Sequence, residues 1–329
     1  MTLVPPACWI FRLRLGVVLF ATAVCAALVA QAADRPATAG PSQEKLADPL
    51  PAHGASVVRR TTDDLADLHA AAVTYGRKYG PDRVLLVYDI DNTLLAMNQD
   101  LGSDQWFQWQ RQLIEENADS PQAVARDLDG LLEAQGLLFT LSRMHPPQAD
   151  APGIVADLQS RGFPSILITS RGDAFRTAAE RELARNGYEA AKTALPVKTP
   201  CEPIFLPYDP SNLEGSGFSV EEVESLELGE PKRVSYCSGV FMIAGQHKGA
   251  MLRTLLARCD KQISAIVFVD DRARHQQAVC AAFANRGIDI AAFYYTREQQ
   301  RIERFQASDK GEVVRGWQEL QKTLKTVFE

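Results

Sequence analysis

"VLLVYDIDNTLLAM", residues 84–97, decides the fold. Val84 to Tyr88 are apolar or aromatic without a break, the pattern of a strand buried on both faces. The run leads directly into Asp89 and Asp91, and Asn92 and Thr93 close the motif. Carboxylates set against a buried run cost free energy unless a partner compensates them. The rest of the chain is therefore read for the groups that would do so.

Three later segments are of the same buried type: "PSILIT" (164–169), "AIVFVD" (265–270) and "IDIAAFYYT" (288–296). Amphipathic helical patterns alternate with them. "TTDDLADLHAAAVTYGRKYGP" (61–81) offers Thr61 or Thr62 as N-cap, Asp63 and Asp64 in the first turn, and Leu65, Leu68, Ala72 and Tyr75 on one face. Gly80-Pro81 ends it. "QHKGAMLRTLLARC" (246–259) sets Met251, Leu252, Leu255 and Leu256 on one side. This alternation predicts an α/β fold, a Rossmann-like parallel sheet with helices on both faces.

Two stretches break the alternation. Residues 94–160 hold "SDQWFQWQRQLIEE" (103–116) and "SPQAVARDLDGLLEAQGLLFTLSRM" (120–144), each opened by a serine suited to N-capping, and are expected to form a small helical cap inserted after the first strand. Trp106, Phe107 and Trp109 are expected on its packed face. Residues 196–245 suggest short strands and a hairpin, a second insertion.

The chain has 329 residues, 46% hydrophobic and 23% charged, so a large core is affordable and disorder throughout is excluded. Arg12 and Arg14 precede "LGVVLFATAVCAALVAQAAD", which ends in Ala30-Gln31-Ala32, the pattern of a cleaved secretory signal over residues 1–32. An uncleaved anchor is the alternative, for which the apolar run is short. Export would place the protein in the periplasm or outside the cell, without stable membrane association after cleavage. Removing the two arginines takes the net charge from −6 to −8 and, with no basic cluster, argues against nucleic acid as partner. Residues 33–60, rich in Ala, Pro, Gly and Ser, read as a flexible linker, and 61–329 as the folded domain. Of the cysteines left after export, Cys201 and Cys237 flank a proline-containing stretch that a disulfide would staple; Cys259 reads as a buried apolar residue. No Cys/His spacing suggests zinc.

Three buried strands end in polar groups: Asp89 and Asp91; Thr169, Ser170 and Arg171; Asp270 and Asp271. Ligands bind at the carboxyl ends of strands in open parallel sheets. Residues i and i+2 of an extended segment leave the backbone on the same side. Carboxylates so gathered need a cation or a donor between them unless one holds a proton; the simplest compensation is Mg²⁺ with oxygen ligands, with Lys248 as a fixed positive charge. Thr and Arg side chains would donate to phosphoryl oxygens, and Arg171 would otherwise pair with an aspartate. Such a set fits phosphoryl transfer.

"DIDNT" after an apolar strand resembles the first motif of the haloacid dehalogenase superfamily, mostly Mg²⁺-dependent phosphohydrolases; "ILIT" resembles the second, Lys248 the third and "VFVDD" the fourth. Thr93, Thr169, Lys248 and Asp270 follow one another at intervals of 76, 79 and 22 residues, leaving room for insertions where that superfamily carries caps. "LGSDQWFQWQ" is similar to a poorly characterised group of its exported bacterial members. The resemblance implies Asp89 as nucleophile and metal ligand, and Asp91 as general acid/base that also binds the metal through its backbone carbonyl. It implies Thr93, Thr169, Ser170 and Lys248 as phosphate-binding, with Asp270 and Asp271 completing a Mg²⁺ site. The expected activity is hydrolysis of a small phosphorylated substrate through an aspartyl-phosphate. A phosphotransferase, or a chain that binds metal and phospholigand without turnover, stands as the alternative.

Overall fold

Side chains that leave Val84–Asp89 alternately to either face bury the sheet on both sides. Leu86 and Tyr88 join one apolar cluster, with Leu65, Leu68 and Ala72, while Leu85 and Val87 join another, with Met251, Leu252 and Leu255. The computed structural model describes residues 55–198 and 204–328. In chain order its elements are β1 (Val57–Thr62), α1 (Leu65–Tyr79), β2 (Val84–Asp89), β3 (Ala96–Met97), α2 (Asp104–Asn117), α3 (Leu128–Leu141), β4 (Met144–His145), α4 (Ala151–Ser160), β5 (Ser165–Thr169) and α5 (Arg176–Arg185). They continue with β6 (Ile204–Phe205), α6 (Val220–Ser225), β7 (Val234–Cys237), β8 (Val240–Met242), α7 (Lys248–Ala257), β9 (Ala265–Asp270), α8 (Ala273–Ala282), β10 (Asp289–Tyr295), α9 (Gln299–Ala307) and α10 (Gly311–Phe328).

The main sheet runs β1-β10-β9-β2-β5-β8-β7-β6. Pairing is parallel from β1 to β8, and β7 and β6 are added antiparallel. The α/β architecture with a mostly parallel sheet and helices on both faces is thus as expected, with β2 at its centre. One compact unit extends to Trp317; the turns of α10 from Gln318 onward belong to a second.

Several boundaries differ from the sequence reading. Val57–Arg60, expected in the linker, form most of the edge strand β1, whose mostly exposed side chains gave no apolar signal. The signal segment and most of the linker lie outside the described residues. Helix α1 is capped by Asp64, whose side chain accepts from Ala66 N, and neither Thr61 nor Thr62 is its cap. Ser103 caps α2 as expected, but the cap of α3 lies seven residues beyond the serine expected to open it, at Asp127, which accepts from Gly130 N. The cap is narrower than 94–160: the short antiparallel ribbon β3–β4 closes its base, and α4 packs against α1 as the crossover to β5. β8, assigned to the second insertion, is a strand of the main sheet beside β5. Cys201 lies outside the described residues; Cys237 is an exposed free thiol, and free Cys259 is buried as expected.

Asp289, at the start of β10, ties the sheet edge together. It accepts from Ser56 N before β1, and from Lys78 and Tyr79 at the end of α1. Burial pushes its carboxyl up, but these donors outweigh burial and bring it down to about 2. The unfolded carboxyl titrates near about 3.9, so this contribution is complete above that value and is lost as pH falls through it toward the folded value. Asp289→Asn is expected to cost about 1–2 kcal/mol at neutral pH, discounted because Lys78 is exposed. In urea unfolding, the gap between wild type and variant should narrow as the pH is lowered to about 3.

Candidate active site at the carboxyl ends of the strands

The neighbouring strands β9, β2 and β5 end in Asp270, Asp89 and Thr169. Beyond β2 the chain turns around the Ile90 carbonyl, which accepts from the backbone N–H groups of Thr93, Leu94 and Leu95. Asn92 takes the left-handed conformation there (φ 58°), which asparagine tolerates better than most residues. This turn sends the two carboxylates of the motif different ways.

Lys248 is the first residue of α7, and His247 caps that helix by accepting from Ala250 N through Nδ1 at 3.0 Å. Next to it, Gly249 lets α7 approach α8: a Cβ there would overlap the Ala278 carbonyl and the Ala282 side chain. The close approach seats Lys248 at 1% exposure between two acids. Its Nζ donates to Asp89 Oδ1 and, at 2.7 Å, to Asp270 Oδ2. Burial pulls the ammonium down, but Asp270 and Asp89 outweigh it and hold the lysine above its ordinary range.

Asp270 is saturated with donors. Arg272 N reaches Oδ1 at 2.9 Å, and His275 Nδ1 lies 2.9 and 3.1 Å from the two oxygens. Burial would raise this carboxyl, yet Lys248 and His275 hold it below the usual range. Asp89 behaves oppositely: burial, Asp270 and Asp91 push it well up against Lys248. Asp271 is also pushed well up by burial and by Asp89 and Asp270, and receives a single long hydrogen bond, from Asn92 Nδ2 at 3.3 Å.

Carboxylate oxygens of Asp89, Asp270 and Asp271 all lie within 4.8 Å of one another. Three buried or half-buried acids with one buried ammonium carry excess negative charge, and the donor set is entirely oxygen. A hard dication fits this set. The carboxylate of Asp91 is not part of the cluster. It receives Thr169 Oγ1 at 2.9 Å and Arg171 through Nε (3.1 and 3.2 Å) and Nη2 (3.0 Å). Of the two roles open to Arg171 in the sequence, the structure has the aspartate pair, with the guanidinium 4.0 Å from the ring centre of Phe139 on α3. Thr93 Oγ1 donates to Asp89 at 3.1 Å, and Thr169 Oγ1 also accepts from Arg171 N, so both hydroxyls expected on phosphate are engaged with protein. Ser170 is exposed at the same strand end. Trp106 is buried in α2 as expected, and Trp109 meets Phe305 edge-on.

A family model described as "Protein of unknown function (DUF2608)" matches residues 61–328. The chain belongs to the DUF2608 family. No curated protein and no solved structure matches it. The haloacid dehalogenase resemblance is thereby corrected: the matching family is DUF2608. The four motifs were short, down to a single lysine, and carried chemistry more than kinship. What the DUF2608 chain retains from that reading is a set of side chains at three strand ends, now with geometry.

His275, Asn92 and the Arg272 amide also serve this site of the DUF2608 chain and were missed in the sequence. The available signal was position: helix α8 starts three residues after Asp270, so its first turn folds back onto that carboxylate. Replacing Lys248 by Met strips the one buried ammonium from two buried carboxylates, which is expected to cost about 3–5 kcal/mol in urea unfolding. The loss should shrink in millimolar Mg²⁺, which would replace part of the missing charge.

Proposed function

We propose that this chain is an exported, Mg²⁺-dependent phosphomonoester hydrolase acting through an aspartyl-phosphate on Asp89. One observation carries the reading: Asp89, buried at a strand end, shares an all-oxygen acidic cluster with Asp270 and Asp271 and pairs with Lys248, while a further carboxylate, Asp91, is held separately beside it. Asp89, Asp270 and Asp271 would hold Mg²⁺, which when bound offsets their charge and that of a phosphoryl group. Export rests on the basic, apolar and Ala-x-Ala pattern of residues 1–32. Among the described residues no helix is long and apolar enough to cross a membrane.

In the proposed reaction an Asp89 oxygen attacks phosphorus and the bond to the leaving oxygen breaks. Asp91 gives that oxygen a proton. It then takes one from the water that attacks phospho-Asp89, releasing phosphate and restoring both side chains. Lys248 keeps Asp89 in place and offsets its charge, and Thr93 fixes its second oxygen. Arg171 and Thr169 set the orientation of Asp91.

The same grip supports a second reading. Both Asp91 oxygens already accept from Arg171 or Thr169, which favours a chain that binds metal and phospholigand without turnover. A chromogenic aryl phosphate separates the two. Phosphate release by wild type that stops with a chelator, is abolished in Asp89→Asn and is slowed roughly 10²- to 10⁴-fold in Asp91→Asn supports hydrolysis. Equal rates in wild type and Asp89→Asn would sink it. Mg²⁺ binding with no release would favour the second reading, and phosphate passing to an added alcohol would mark a phosphotransferase.

A further inference from the structure

Arg272 follows directly on the acidic pair Asp270-Asp271 and stands between two carboxylates of different origin. Its Nη2 is ion-paired with Asp104 Oδ2, in the first turn of α2 within the inserted segment. Its Nε is 3.9 Å from Oδ1 of Asp271. One guanidinium is thus within reach of both an acid on the insertion and an acid of the candidate metal cluster, and it is closer to the former. Asp104 is well supported there, since it sits at a helix N-terminus beside the capping Ser103. Asp271, by contrast, has among the described residues one long hydrogen bond, from Asn92, beside its distant contact with Arg272, and is the least committed carboxylate of its cluster. A guanidinium freed from Asp104 would be able to close its long contact with Asp271 into a direct pair, and a fork of five donors binds a carboxylate well.

We propose that Asp104 is a positioning residue for the metal site: it draws the terminal nitrogen of Arg272 onto itself and leaves Asp271 only the distant Nε contact, so that Asp271 takes a cation only while α2 is docked on the strand ends. The inference rests on the Mg²⁺-binding part of the proposed function. It makes the insertion a condition of metal binding as well as a cover, and by linkage a bound cation favours the docked insertion to the same extent.

The test is calorimetric titration of MgCl₂ into the full chain, without substrate, for wild type, Asp104→Asn, Arg272→Gln and the double variant. Asp104→Asn is expected to weaken Mg²⁺ binding roughly 10- to 100-fold, as loss of an outer partner of a metal ligand does. The double variant is expected to regain wild-type affinity, because no guanidinium is left to compete. Wild-type affinity in Asp104→Asn, or a double variant as weak as Asp104→Asn, overturns the proposal while leaving the metal site standing. Wild type that takes up no Mg²⁺ overturns both. Should Asp104→Asn fail to fold, Arg272→Gln alone decides: affinity equal to or above wild type supports the proposal, and weaker binding overturns it.

Discussion

The buried ammonium of Lys248, shared by Asp89 and Asp270, is the interaction on which the rest of the structure depends. Strand ends β2 and β9 each bring a carboxylate into the interior, where it is unaffordable alone. The lysine makes that placement tolerable, and the close seating of α7 on α8 at Gly249 makes the lysine's position possible. One ammonium does not balance three acids. Asp89 and Asp271 accordingly sit on the side that resists ionisation, while Asp270 absorbs most of the available donors.

This asymmetry divides the labour among carboxylates that look alike in the sequence. Asp270 is a fixed anchor, surrounded by Lys248, His275 and the Arg272 amide. Asp89 and Asp271 keep unspent capacity toward a cation. Asp91 is turned by the left-handed Asn92 into a different environment of Arg171 and Thr169. A turn of a few residues thus separates two acids that an extended backbone would have left side by side.

Much of this was legible beforehand, for identifiable reasons. The strands at 84–89, 165–169, 265–270 and 289–295 are buried on both faces, so continuous hydrophobicity marked them, and the polar last residues of the first three marked the site. β1 escaped because an edge strand exposes most of its side chains; β8 was expected as part of a hairpin, and its place in the main sheet beside β5 was not, because that pairing is a tertiary contact. Ser120 seemed a good cap, but Asp127 stands nearer the first buried helical leucine, Leu131. Partners remote in sequence, such as Asp104 with Arg272 or Thr169 with Asp91, follow from topology and have no local signature. Kinship was misread for a related reason: a few polar residues at the ends of parallel strands recur on sheets of different ancestry.

The ribbon of Ala96–Met97 against Met144–His145 brings the two ends of the inserted segment side by side. A segment whose ends already meet can lengthen, shorten or be exchanged without altering the spacing of the strands that carry the acids. The chain is in this respect modular: residues between Met97 and Met144 can diverge in length and shape while the strand ends that carry the acids stay as they are.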